Sequence, residues 1–225
     1  MQSMRANNIT FEMHQFRNLK FSSHLLHGTT TLAFIYKNGI IVAVDSRATA
    51  GSIIATHNIK KIIEFSPGIL GTMAGNAAAC QHAGVSLSHQ IKIFTMRNDK
   101  QPSMTVCGRL LQSFFRETNS GHGTSGMMLC GFDHKGPQIV YCDSELNFLN
   151  FEKFSIGSGM QSALAVLFDE EDIYNVEDEK AYEIARHAIK VAASRDAGSG
   201  GCSMGISIFF SILRFTIIFP GQVGN

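Results

Sequence analysis

His27-Gly28-Thr29-Thr30-Thr31-Leu32-Ala33-Phe34 is a threonine run placed directly after a glycine and continuous with an apolar, β-branched stretch. Cutting the Gly28–Thr29 bond would put a hydroxyl and a free α-amine on one residue, nucleophile and base together. That is one of the few ways to activate a weak hydroxyl without a separate histidine. By itself the string is also an ordinary strand start, so its reading depends on the residues further along the chain.

Strands dominate the first part. Thr30–Tyr36 and Ile40–Asp45 flank Lys37-Asn38-Gly39, and Asn-Gly between two apolar runs is a strong hairpin signal. Further strands are expected at Ile53–Ala55, Lys60–Phe65 and Ile69–Ala74, the last two joined by Ser66-Pro67-Gly68. Helices follow, one from about Asn76 to Met96 and one from Ser103 to Glu117. Ser103 is the expected cap, and Val106, Leu110, Leu111 and Phe114 the expected apolar face. Strands return at Met127–Asp133, Gln138–Asp143 and Phe154–Ile156. Two last helices are expected, from about Ser158 to Phe168 and from Val176 to Arg195, the latter with Ala181, Ile184, Ala185, Ala188, Ile189 and Ala192 as its stripe. Strands, two helices, strands, two helices is the order of two sheets with helices outside them. The expected fold is α+β, a four-layer α-β-β-α sandwich in one domain.

The 225 residues suffice for one well-buried domain, and a net charge of +1 gives no pull toward nucleic acid or membrane. Five cysteines without a C-x-x-C pair suit free thiols in a reducing compartment. Nine histidines show no metal-ligand spacing, so no metal is expected. Gly121-His122-Gly123-Thr124-Ser125-Gly126 matches G-x-G-x-x-G, yet it follows a helix and precedes a strand, the reverse of a dinucleotide site; no cofactor is expected. No serine lies in a G-x-S-x-G elbow. Residues 1–28 carry Arg5, Arg17 and Lys20 against one acid, Glu12, and no secretory core. They suit a pro-segment removed on maturation or a mitochondrial-type presequence.

Polar residues at strand ends are the candidates for partners of Thr29. Asp45-Ser46-Arg47 closes the second strand, and of Lys60-Lys61 the period of two turns one lysine inward, where it needs an acid such as Asp45.

Thr29-Thr30-Thr31-Leu32-Ala33-Phe34, Val44-Asp45-Ser46-Arg47-Ala48-Thr49-Ala50-Gly51, Lys60-Lys61-Ile62-Ile63-Glu64, Gly71-Thr72-Met73-Ala74-Gly75 and Arg195-Asp196-Ala197 with Ser199-Gly200-Gly201 resemble the proteasome β subunits, and among them the beta type-5 class with its chymotrypsin-like activity. The resemblance runs in unbroken order over about residues 27 to 205. It implies an N-terminal-nucleophile hydrolase fold and a threonine endopeptidase of the cytoplasm and nucleus, acting in ubiquitin-dependent protein degradation. It implies that Thr29 is the nucleophile, exposed by cleavage at Gly28–Thr29 with loss of residues 1–28. Lys61 would be the inward lysine and Asp45 its charge partner. Ser158, Asp196 and Ser199 would support the amine, and the Gly75 N–H would meet the oxyanion. Ala48, Ile59, Met73 and Ala77 would line the pocket for a large hydrophobic side chain, with Thr49 and Gly75 pairing with the substrate backbone. The implied partners are other proteasome α and β subunits, in a barrel of stacked seven-membered rings, and unfolded polypeptide substrates.

The chain also departs from this pattern. Ala79 stands where these subunits usually carry aspartate, Asn76 replaces a glycine, and residues 206–225 form an atypical apolar tail broken by Arg214. These departures keep a second expectation open, a structural β-like subunit that assembles but cleaves poorly. A stand-alone mitochondrial protein is a third, resting on the basic start alone.

Overall fold

The computed structural model describes residues 28–50, 53–118, 125–209, 216–217 and 221–223. Two antiparallel sheets stack face to face. One has the strand order β10-β1-β2-β11-β12, with β13 also paired to β11; the other has the order β5-β6-β7-β8-β9. Their strands are β1 (Thr30–Tyr36), β2 (Gly39–Asp45), β5 (Ile62–Ser66), β6 (Ile69–Gly75), β7 (Ser125–Asp133), β8 (Gly136–Asp143), β9 (Phe148–Phe151), β10 (Lys153–Gly157), β11 (Gly201–Phe209), β12 (Thr216–Ile217) and β13 (Gly221–Val223). A separate hairpin pairs β3 (Ala48–Ala50) with β4 (Ile53–Thr56). The helices are α1 (Ala77–Asn98), α2 (Met104–Thr118), α3 (Met160–Asp169) and α4 (Asp178–Arg195).

The alternation of side chains across β1 and β2 builds the layers. Leu32, Phe34, Tyr36, Ile41 and Ala43 pack against α3 and α4, where the whole Ala181-to-Ala192 stripe expected from the sequence is buried. Ala33, Ile40, Val42 and Val44 point the other way and meet Leu70, Met128 and Cys130 of the second sheet. A third cluster joins that sheet to α1 and α2 through Phe65, Met73, Leu87, Met104, Leu111 and Phe115. Truncating a fully buried member such as Ile189 to Ala costs about 2–5 kcal/mol. The α-β-β-α order expected from the sequence is the order found.

Two expectations need correction. The buried stripe of α2 is Met104, Cys107, Leu111 and Phe115, whereas Val106 is 41% exposed and Leu110 and Phe114 lie at the edge. The Met104 N–H donates to the Asp133 carboxylate at 2.9 Å, which fixes the helix start and turns the sulfur-bearing residues inward; Ser103 does cap it, accepting from the Val106 N–H at 3.4 Å. The strand expected from Lys60 begins at Ile62, so Lys61 is oriented from the approach to β5.

β11 pairs with β2 from Ser203↔Asp45 to Phe209↔Gly39, so residues 206–209, set apart with the tail in the sequence, continue a strand of the first sheet. The glycine-rich 119–124 tract, most of residues 1–28 and most of the tail lie outside the described residues.

Candidate active site

β1 and β10 pair in the register Thr30↔Gly157, which brings the start of β1 beside the turn Ser158-Gly159. β2 ends alongside at Asp45, and the α4-to-β11 connection supplies Asp196 to Gly200. Strand ends from the centre of one sheet thus converge on Thr29, with β6 of the other sheet opposite.

Asp45 is fully buried, and all of its acceptor capacity is used. Oδ1 accepts from the Thr30 N–H at 2.9 Å and from Lys61 Nζ at 2.5 Å; Oδ2 accepts from the N–H groups of Gly200 at 3.0 Å and Arg47 at 3.2 Å. Lys61, only 3% exposed, is the inward member of the lysine pair, and Lys60 is exposed. Burial pulls the Lys61 ammonium below its usual 10.5, assisted by Arg47 and opposed by Asp45 and Asp196.

A second network holds the other side. The Thr29 N–H donates to Ser158 Oγ at 3.2 Å, and Ser158 and Ser199 each donate to Asp196 Oδ2 at 2.5 Å. Because the Ser199 proton is committed to Asp196, the 2.6 Å contact between Thr30 Oγ1 and Ser199 Oγ has Thr30 as donor. Gly198 N–H closes the loop by donating to Asp196 Oδ1 at 3.1 Å.

The Gly28–Thr29 junction is tightly seated. Thr29 Oγ1 donates to the Gly28 carbonyl at 2.7 Å, and the Gly28 N–H donates to Thr49 Oγ1 at 2.7 Å. A Cβ on Gly28 would lie 2.1 Å from both Cα and O of Gly198, so nothing larger than glycine fits without moving backbone.

Thr29 opens onto a cavity of about 370 Å³, within the range of ligand sites. Ala48, Thr49, Ile59, Lys61, Met73, Gly75 and Ala77 line it, together with Gly28, Ala74, Asn76 and Ala78. Gly75 has φ +87° at the end of β6, a conformation that favours glycine where the chain turns into α1. Asp45, Ser158, Asp196 and Ser199 do not line the cavity and stand behind Thr29 and Lys61. Asp45 and Ser158 each bond directly to a residue of the cavity, Lys61 and Thr29 respectively, while Asp196 reaches it one step further back, through Ser158, and Ser199 through Asp196. Among the described residues no group of three His, Cys, Asp or Glu could hold a metal ion.

Thr30 and Thr31 do more than continue a strand start. Thr30 bonds to both networks, and Thr31 Oγ1 lies 2.9 Å from Thr72 Oγ1 across the two sheets. Arg47 also supports the site: its Nη1 donates to the Ala197 carbonyl at 3.0 Å, and its guanidinium lies against Gly200. The signal in the sequence is an arginine two residues past Asp45, at the end of a wholly apolar run.

A buried lysine–carboxylate pair and a serine–aspartate relay around a threonine at the head of a four-layer sandwich define an N-terminal-nucleophile hydrolase site. The family model for proteasome subunits matches residues 25–206, and the chain belongs to the proteasome subunit family. It is 44% identical to the proteasome subunit beta type-5 of Gallus gallus over 79% of this chain and 69% of that protein. It is 41% identical to the beta type-8 subunit of Rattus norvegicus over 81% of this chain and 66% of that protein. Identity to the beta type-5 subunit of Dictyostelium discoideum is 42%, over 78% and 64% of the two chains. The matched region thus spans about two thirds of these relatives' own length.

Proposed function

We propose that this chain is a catalytic β subunit of the 20S proteasome core, a threonine endopeptidase that cleaves after large hydrophobic residues. The observation that carries this reading is that Thr29 and Lys61 share one cavity, with Asp45 bonded behind Lys61 and the Ser158–Asp196–Ser199 relay bonded behind Thr29.

Residues 1–28 act as a propeptide, 29–205 as the catalytic domain, and 206–225 as a tail that starts within β11. In maturation Thr29 Oγ attacks the Gly28 carbonyl carbon. The C–O bond forms, the Gly28–Thr29 C–N bond breaks, and the hydroxyl proton ends on the departing nitrogen, which becomes the α-amine. Water then hydrolyses the ester, leaving Gly28 as a carboxylate and Thr29 with a free amine and hydroxyl.

In turnover the amine takes the hydroxyl proton as Oγ adds to the substrate carbonyl, giving an acyl-enzyme that water resolves. Lys61 in its ammonium form lowers the cost of the alkoxide and keeps the amine neutral, and Asp45 fixes its position. Ser158, Asp196 and Ser199 orient the amine, and the Gly75 N–H stabilises the oxyanion. Ala48, Ile59, Met73 and Ala77 offer small and adaptable apolar walls to the side chain before the cut bond, while Thr49 and Gly75 pair with its backbone.

The working unit is a barrel of α and β subunits, in the cytoplasm and nucleus, acting on unfolded polypeptides. Among the described residues no helix is long and apolar enough to cross a membrane. The competing reading, a structural subunit that assembles without cutting, draws on Ala79 and the apolar tail. Thr29→Ala in an assembled particle separates the two: cleavage after hydrophobic residues disappears if Thr29 is the nucleophile, and unchanged cleavage refutes the assignment.

A further inference from the structure

Four side chains with polar atoms line the cavity: Thr29, Thr49, Lys61 and Asn76. Thr29 and Lys61 belong to the chemistry, and Thr49 Oγ1 accepts the Gly28 N–H. Asn76 is different. Its Oδ1 accepts the N–H groups of Ala78 at 3.1 Å and Ala79 at 3.2 Å and so caps α1, whose first turn holds no acid. Both partners are donors, which fixes the oxygen on the helix side and leaves Nδ2 directed away from the helix. Among the described residues Nδ2 has no acceptor, and the half-buried side chain borders the cavity between Gly75 and Ala77.

Gly28, the residue immediately upstream of the bond to be cut, lies in this same cavity, so the cavity receives the upstream side of a bound chain. Resting on the proposed peptidase reading, we infer that Asn76 Nδ2 is a specificity-determining donor. It selects a hydrogen-bond acceptor on a substrate residue upstream of the one that fills the Ala48–Met73 pocket. The cap sets this direction, because the same carboxamide cannot turn its oxygen to substrate without uncapping two N–H groups.

The test uses assembled particles containing this subunit and fluorogenic tetrapeptides with leucine before the cut bond. Each upstream position in turn carries methionine sulfone, an uncharged acceptor, or norleucine, its apolar counterpart. At one upstream position kcat/KM should favour the sulfone by about three- to tenfold, the worth of one neutral hydrogen bond. Asn76→Asp retains the capping oxygen but has no donor, so it should abolish that preference and favour lysine there instead. Absence of the preference in the wild type, or its survival in Asn76→Asp, overturns the inference while Thr29-dependent cleavage stands. If the norleucine peptides are cut equally well by Thr29→Ala particles, the peptidase reading itself fails and the inference with it.

Discussion

Lys61 Nζ lies 2.5 Å from Asp45 Oδ1, with both side chains almost wholly removed from solvent. Such a pair adds little net stability, because desolvating two charges offsets most of their attraction, yet losing one member strands the other. Lys61→Ala should therefore cost about 3–5 kcal/mol and leave the Gly28–Thr29 bond uncut. Asp45→Asn should also destabilise, for a separate reason: an amide can present only one oxygen where two oxygens each receive two donors. Urea unfolding and the mass of the incorporated chain read both effects. A normally matured Lys61→Ala product would remove Lys61 from the mechanism.

The approach of Gly28 to Gly198 gives a prediction about maturation alone. Gly28→Ala and Gly198→Ala should each slow cleavage of the junction at least about tenfold, because the added methyl meets backbone and a 1 Å displacement at reacting atoms is costly. Supplying the Gly198→Ala chain with Thr29 already as its first residue should restore peptidase activity. Pulse-chase of precursor and product, beside peptide hydrolysis, distinguishes the two stages.

Asp196 serves two hydroxyls and one N–H, whereas Ser158 serves only Thr29 and Asp196. Ser158→Ala should lower kcat by about 10²-fold or more, in line with a group that supports proton transfer. Asp196→Ala should lower it further and also reduce stability. The double variant should be no worse than Asp196→Ala, since both changes remove one relay. Additive losses would show that Ser158 and Asp196 act independently.

The buried thiols make stability depend on alkaline pH. Burial pushes Cys80 and Cys107 from 9.0 up to about 12, and raises Cys130 and Cys142 as well. Above pH 9 the unfolded chain releases these protons and the folded chain keeps them. The unfolded state then binds fewer protons, and stability falls as pH climbs from 9 toward 12. Lys61, shifted downward, contributes the opposite slope below 10.5, but four thiols outnumber it. The urea midpoint should be lower at pH 10 than at pH 8. In the native chain at pH 8, Cys202 should be alkylated ahead of the other four, which peptide mass spectrometry can count.

Periodicity located the sandwich because its central strands and the α4 stripe obey simple repeats: Ala181, Ile184, Ala185, Ala188, Ile189 and Ala192 are all buried as their spacing requires. The α2 face was misplaced because Met104 and Cys107 carry the stripe and a distant carboxylate, Asp133, sets the start. Short strands such as Ala48–Ala50 and Phe148–Phe151 have too few residues to display a period. At the site, the motif residues were legible through an ordered set of matches. Thr30 and Arg47 were not, since their partners Ser199 and Ala197 lie 169 and 150 positions away in the chain. The capping role of Asn76 was equally hidden, as it depends on which atom of the carboxamide faces the helix.

N-terminal sequencing of the chain recovered from assembled particles tests the central claim most directly. The proposed mechanism predicts Thr29 as the first residue, with its amine free. A chain that still begins at Met1, in particles that nevertheless cleave after hydrophobic residues, would contradict it.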